Sequence, residues 1–410
     1  MSDSSMAKSM ALRVPLWALI TCGCMIGIIS FGSRAGMGLY MKDISLSFFE
    51  NKTAVLSLSI AIQNLIWGAV SPFAGIFADK FGSGKTLALG AVIYAVGMAL
   101  MPHADAPLMM HVVAGVVIGI GVAFASFTIV LAAFGRSVSP EKRTLAFGLG
   151  TASGSVGQLV LVPIAAILIA DYGWQTALYI MAGITLLIVP LALAVTGKGA
   201  PDVGLQDQSV REAFREAFAH RSYLLLFFGF FVCGFHVAFI QVHLPKHIQD
   251  ANLPLWLGAA ALSLVGGFNI IGSFAAGWLG GIFSKRLTLS AIYFLRAASI
   301  ALFIVVPMST WSVYVFSAAM GLLWLSTVPL TSGLVAQFFG MRYMASLFGF
   351  VFFGHQLGAF LGVYMGGEIY DARGSYDVVW WIGVALGVFA GLIHLPIREA
   401  PVARLAQAAA

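Results

Sequence analysis

The sequence predicts an all-α polytopic membrane protein, with twelve transmembrane helices in two six-helix halves. Three observations carry this. First, apolar types make up 60% of the 410 residues and charged types only 9%. Soluble domains carry roughly 25% charged residues, so this chain has too few charges to cover a surface facing water. Second, the apolar residues gather into long runs separated by short polar breaks. Third, one polar stretch, Lys198–Arg221, is longer than the others and divides the runs six and six.

The runs fall at 14–40, 53–78, 86–102, 108–134, 144–170, 174–196, 222–244, 256–282, 288–307, 311–338, 343–369 and 378–397. A helix needs about 20 residues to cross the hydrocarbon core, so the longer runs tilt or project beyond it. The first run continues well past the length of a signal-peptide core and is read as a retained helix. Gly354, Gly358, Gly362 and Gly366 recur every four residues. That spacing makes one smooth helix edge suited to close packing. Cys22, Cys24 and Cys233 all lie inside apolar runs, which excludes a disulfide framework and fits no zinc site. No cofactor or metal is expected.

The domain reading is an N-terminal half at 1–197, a linker at 198–221 and a C-terminal half at 222–410. Within the linker, SVREAFREAFAH places Ala213, Phe214, Ala217 and Phe218 on one helical face. Arg211, Glu212, Arg215 and Glu216 surround it, so a short amphipathic helix lying on the membrane surface is expected. Sixteen basic residues lie in the tails and in the breaks after even-numbered spans, and four lie in the other breaks. That bias predicts that both termini are cytoplasmic.

GIFADKFGSGK (75–85) follows span two, and GWLGGIFSKR (277–286) follows span eight. Each sits after the second helix of a half, so the halves read as a repeat. Gly281 stands where the first copy has its acid. The GSGKT string at 82–86 lacks both the earlier glycine and the strand of a phosphate-binding loop.

Gly75, Asp79, Gly82 and Lys85 match the cytoplasmic loop signature of the major facilitator superfamily, which the whole chain resembles. The resemblance implies the major facilitator fold, two halves that rock around a central site, and a gating role for those four residues. SFGSRAGMGLY (30–40), SPFAGIFADKFG (71–82), FNIIGSFAAGWLGG (268–281), TVPLTSGLVAQFFG (327–340) and GHQLGAFLG (354–362) resemble bacterial members of the monocarboxylate porter group. This implies a monomer in a bacterial inner membrane that moves a small organic anion, a monocarboxylate, with a proton or an exchanged anion. Nucleic acid is not a partner. The resembled carriers place an Asp and an Arg in span eight where this chain has Asn269 and Ser273. The rival readings are efflux of amphipathic or drug-like compounds by the same fold, an intramembrane enzyme and a solute sensor. The enzyme would need a convergent His/Asp or Ser constellation that the spacing does not provide, and the sensor would need a further cytoplasmic domain.

Arg34 is the most informative single residue. It lies about 9 Å beyond the centre of span one at 1.5 Å per residue, still inside a core about 30 Å thick. A charge there is costly unless paired or hydrated. None of the 16 acids lies near a span centre, and Glu368 stands only at the outer end of span eleven. The partners left are Glu368, backbone carbonyls, water or an incoming anion. In the resembled group, a basic residue in the outer half of span one serves the substrate carboxylate. Arg296, in the middle of span nine, is read as structural or as a second anion contact.

The polar residues on cavity-facing spans are Gln63, Asn64, His236, Asn269, Ser273, Trp324, Thr327, His355 and Gln356. All are candidates for substrate contact, although a lone polar residue in a membrane helix commonly bonds a neighbouring helix. If protons are moved, the carriers are His236, His355 or Glu368, because imidazole titrates near neutral pH. Asp79 is expected to touch basic residues or helix ends near Arg136 to Arg143.

Overall fold

A computed structural model describes residues 14–49, 54–195, 197 and 208–409. The basic residues Lys8, Arg13, Lys52 and Lys198 and the first part of the linker lie outside the described residues. Every regular element among the described residues is helical. The first half contains α1 (Leu16–Ala35), α2 (Ala54–Phe81), α3 (Ser83–Leu100) and α4 (Pro107–Ser137). The second contains α7 (Arg221–Asp250), α8 (Leu255–Ile282), α9 (Lys285–Val305), α10 (Thr310–Phe339), α11 (Met344–Arg373) and α12 (Asp377–His394).

Between α4 and the linker, helix runs through 53 residues, Pro140–Ala192. At 1.5 Å per residue one straight helix of that length would reach about 80 Å, more than twice a bilayer core. It is instead a hairpin. Gly173 sits at φ +79° and ψ 161°, a conformation open to glycine and strained for any side chain. The two limbs, α5 (143–172) and α6 (174–192), return to the same end of the bundle. Arg143 Nε donates to Gly135 O at one limb's start, and Ser83 N–H donates to Gly197 O just past the other's finish. Residues 143–192 therefore cross the bilayer twice, which completes twelve spans.

α10 is also interrupted, and the sequence says why. Pro329 has no N–H for the Leu325 carbonyl, and its ring crowds that carbonyl. The helix stops at Leu323 and restarts at Thr327. The carbonyls of Leu323 and Trp324 are left without their helical donors.

The stripe of small residues on α11 is the seam with α7. A Cβ added at Gly358 would collide with the Phe231 carbonyl, and one at Gly362 would stand 2.6 Å from the Phe235 carbonyl. That seam lies within the second half, and the two halves meet along two others. On one, Gly75 of α2 lies against the Ala345 carbonyl of α11. On the other, a Cβ on Gly277 of α8 would lie 2.8 Å from Gly148 Cα of α5. The surface facing outward from the bundle carries Phe73, Leu193 and Trp311, all exposed, as a lipid-facing wall requires.

The linker helix, Val210–Ala219, starts at a capping box. Ser209 Oγ accepts the Glu212 N–H at 3.3 Å, and Glu212 Oε2 accepts the Ser209 N–H at 2.8 Å. The Ser209 N–H and the Ser209 hydroxyl, both donating to Oε2, hold the Glu212 carboxyl below the usual carboxylate range. Its apolar face does not simply lie on the membrane surface. Ala213 and Ala217 are buried, and Phe218 meets Phe350 of α11 edge-on at 4.9 Å. The helix is seated on the C-terminal half because those rings find a protein surface of matching apolarity, leaving only part of Phe218 exposed.

Candidate functional site

A cavity of about 350 Å³ lies between the halves, lined by α1, α2, α4, α5, α7, α10 and α11. Its lining reaches Gly38 on the α1 side, Val242 on α7 and Val363 on α11. Those positions lie toward the end of the bundle opposite Asp79, and Gly38 and Val242 are exposed there, so the mouth is at that end. The floor is aromatic. Trp67 meets Phe352 at 4.8 Å between ring centroids, and Phe127 meets Phe352 at 5.4 Å.

Arg34 is on the cavity wall. Its guanidinium lies 4.6 Å from the centroid of the Trp67 ring, a cation–π contact. Nη2 donates to Asn64 Oδ1, and Nε has no partner. Among the described residues no carboxylate forms an ion pair with Arg34. Glu368 is exposed near the far end of α11 and does not reach it. A guanidinium has five N–H donors, and the bond to Asn64 uses one of them.

Several predicted residues join Arg34 there. Gln63, Asn64, Trp324, His355 and Gln356 all line the cavity. Gln63 spends its amide on the Ala114 carbonyl at 2.9 Å, tying α2 to α4. Gln356 Nε2 donates to the Asn64 carbonyl at 3.2 Å, across the halves, and its Oε1 accepts from His355 Nδ1 at 3.1 Å. The His355 ring stacks on Phe352 at 5.4 Å. Gln158 and Gln241 also line the cavity.

Four predicted contacts lie elsewhere. His236 is buried between α7 and α12, where Nε2 donates to the Gly383 carbonyl at 2.8 Å. It is on a cavity helix but on its other face. Asn269 and Ser273 form a cross-link. Asn269 Nδ2 donates to Ser155 Oγ at 2.6 Å, and its Oδ1 accepts from Ser273 Oγ at 3.0 Å and from the Leu325 N–H at 2.9 Å. Every polar atom of Asn269 is thereby used. Thr327 Oγ1 lies 3.2 Å from Cys233 Sγ, behind the wall.

Arg296 is wholly buried at the interruption of α10. Nε donates to the Leu323 carbonyl at 3.1 Å, and Nη2 donates to the carbonyls of Leu323 and Trp324. Its charge sits at the C-terminal end of the helix Thr310–Leu323, where the helix dipole favours a cation. This geometry is structural. It replaces the backbone donors that the interruption removed.

The gating candidates gather at the other end. Asp79 is buried at the foot of α2. Its Oδ1 accepts from Arg136 Nη1 at 3.1 Å, and its Oδ2 accepts from Ser346 N–H at 2.9 Å and Ser346 Oγ at 2.6 Å. Arg136 Nη2 also donates to Ser83 Oγ at 2.5 Å. The carboxylate therefore sits on the N-terminus of α11, a preferred place for an anion. Gly75 allows the two backbones to approach there, and Gly82, at φ +106°, makes the turn into α3. Lys85 is exposed and takes no part. The cation on Asp79 is Arg136. Ser346 and Ser155 were not singled out from sequence. A serine in an apolar run carries no mark, and half of the Ser346 contribution is a backbone N–H.

The family model described as Major Facilitator Superfamily matches residues 18–363. An uncharacterized MFS-type transporter, YcxA of Bacillus subtilis, is 29% identical over 378 residues, covering 90% of each chain. Monocarboxylate transporter 13 of Rattus norvegicus is 25% identical over 398 residues, covering 93% of this chain and 89% of its own. The crystal structure of the E. coli fucose:proton symporter FucP superposes with a TM-score of 0.72 at 15% identity, covering 92% of this chain and 97% of its own.

Proposed function

Since the chain belongs to the major facilitator superfamily, and so is a transporter of small molecules and not an enzyme, we propose that its cargo is a small organic anion, a monocarboxylate. The observation that carries this reading is Arg34, a guanidinium on the wall of an intramembrane cavity with no carboxylate paired to it among the described residues. A planar fork of donors suits a carboxylate, which it can engage with two parallel hydrogen bonds. The names of relatives such as monocarboxylate transporter 13 point the same way.

The mechanism is alternating access. With the basic breaks taken as cytoplasmic, the end holding Asp79, Arg136 and Arg143 faces the cytoplasm of a bacterial inner membrane. The cavity then opens outward. It is sealed below by the Trp67–Phe352–Phe127 rings, the Gly75 approach and the Asp79–Ser346 clasp. Substrate reaches Arg34 from the outer side. Release inward requires the α2–α11 and α5–α8 seams to part and the outer ends to close. His355, on the wall beside Gln356, is the proton-carrying candidate nearest the substrate.

The rival, efflux of amphipathic compounds, draws on the aromatic rings of the cavity and makes Arg34 dispensable for neutral cargo. Counterflow of labelled carboxylates in proteoliposomes, with and without a pH gradient, tests the proposal. Saturable exchange of a monocarboxylate is the expected result. Exchange of neutral amphiphiles alone would reject it.

A further inference from the structure

The cavity carries more information than the charge of its cargo. Phe31, Trp67, Phe127, Phe230, Trp324 and Phe352 all line it. These rings belong to α1, α2, α4, α7, α10 and α11, so they surround the space instead of forming one wall. Phe31 meets Trp67 edge-on at 6.0 Å and Phe127 at 5.8 Å. That is the geometry aromatic rings prefer, and it offers edges and faces to a further ring. A volume of about 350 Å³ stands at the lower end of the roughly 300–1,000 Å³ found for small-molecule pockets. Acetate or lactate would leave most of those rings without contact.

The polar lining sets a second limit. Arg34 is the cation of the lining, and among the described residues no Asp or Glu lines the cavity. The neutral groups are amides, the Thr151 hydroxyl, two indoles and one imidazole, and several are engaged already, Thr151 with the Phe147 carbonyl. Gln63 is spent on Ala114, and Gln356 on Asn64 and His355. An ammonium group brought into this space would meet a guanidinium of like charge that already occupies the Trp67 face, with no carboxylate among the described residues of the lining to replace its water. Burying an unpaired charge is heavily penalised.

We infer that the preferred cargo is an aromatic monocarboxylate without an ammonium group, of the aryl-alkanoate class. The carboxylate sits on Arg34 and the ring among the six aromatic side chains. This rests on the proposal that the site takes an organic anion, and it adds the body and the excluded group.

Four compounds built on related skeletons test it with purified protein in detergent and in proteoliposomes. They are 3-phenylpropanoate, phenylalanine, propanoate and 3-phenylpropan-1-ol. The first should bind at least about tenfold more tightly than each of the others, a difference of about 1.4 kcal/mol or more. It should also be the one exchanged by counterflow. Phenylalanine binding as tightly as 3-phenylpropanoate overturns the exclusion of ammonium. Propanoate binding as tightly overturns the aromatic body while leaving the anion reading intact. The alcohol binding as tightly overturns the anion reading itself, and binding of none of the four overturns the inference. Trp324→Leu supplies a second readout, since it should weaken 3-phenylpropanoate and leave propanoate unchanged. Equal losses for both would show a general disturbance of the wall and count against the ring box.

Discussion

Asn269 Nδ2 on α8 donates to Ser155 Oγ on α5 at 2.6 Å, across the boundary between the two halves. The same side chain accepts the Leu325 N–H with its oxygen. One residue thus fixes the α5–α8 seam and the interruption in α10 that presents Trp324 to the cavity. Asn269→Ala would leave the Leu325 N–H and Ser155 Oγ unpaired in a buried place. Each such loss costs about 1–3 kcal/mol. Thermal unfolding in detergent should therefore fall clearly below the parent, and Ser155→Ala should fall by less. The double variant should lose less than the sum of the two, because the sites share a bond. An Asn269→Ala protein that unfolds at the parent's temperature would show that the bond contributes nothing.

Asp79 performs the matching task on the other seam. It joins Arg136 of its own half to Ser346 at the head of α11. Asp79→Asn keeps the shape, removes the charge and leaves Arg136 without its carboxylate. Breaking a buried pair in this way is expensive, about 3–5 kcal/mol, and the cost falls on the conformer in which the clasp is closed. Transport should slow by about tenfold or more, while equilibrium binding at Arg34 changes little. Ser346→Ala keeps the backbone N–H and loses one bond to a charged group, about 1.5–3 kcal/mol, so its effect should be milder. Unchanged turnover in Asp79→Asn would remove the clasp from the mechanism.

Much of this architecture was legible in the residues. Scarce charges and run lengths predicted twelve spans. The polar break at 171–173 marks the hairpin that Gly173 makes. Arg34 stood out because a charge inside an apolar run must meet something. The helical phase of single polar residues was not legible. His236 and His355 each sit inside a cavity helix, yet one points at α12 and the other at the cavity. Which face is which depends on neighbours far along the chain. Asn269 and Ser273 looked like substrate contacts for the same reason, and their partners, Ser155 and Leu325, lie on other helices. The aromatic lining was hidden by abundance, since 32 Phe residues give no hint of the few that meet.

The two histidines therefore separate in a coupling experiment. His236 bonds the Gly383 carbonyl through Nε2, a bond that a glutamine amide can also make. His236→Gln should keep pH-driven uptake near the parent's. His355 touches Gln356, which holds the Asn64 carbonyl next to Arg34. A proton gained or lost by that imidazole would change its bond to Gln356 and pass the change to the site. His355→Gln should retain counterflow and lose most accumulation driven by a pH gradient. Full pH-driven accumulation in His355→Gln would exclude imidazole coupling.

Arg34 carries the sharpest expectation. Its guanidinium is stacked on Trp67 and steadied by Asn64, and its Nε has no partner. A site of reduced dielectric strengthens a carboxylate pair, although desolvation offsets much of the gain. Losing a charged hydrogen-bond partner costs about 1.5–3 kcal/mol, and every 1.4 kcal/mol is about tenfold in affinity. Arg34→Lys keeps the charge, loses the fork and should bind with intermediate affinity. Arg34→Gln should bind at least about tenfold more weakly than the parent. It should still fold and insert, since a glutamine amide can donate to Asn64 in place of the guanidinium. The competing account makes Arg34 a structural tie to Glu368. It predicts poor expression of Arg34→Gln and rescue by Glu368→Gln. Glu368 is exposed and apart from Arg34, so no rescue is expected, and Glu368→Gln alone should bind as the parent does. Affinity and thermal stability measured on Arg34→Gln, Glu368→Gln and the double variant decide between the accounts. Parental affinity of Arg34→Gln for its carboxylate would remove Arg34 from the site and, with it, the physical argument for an anionic cargo.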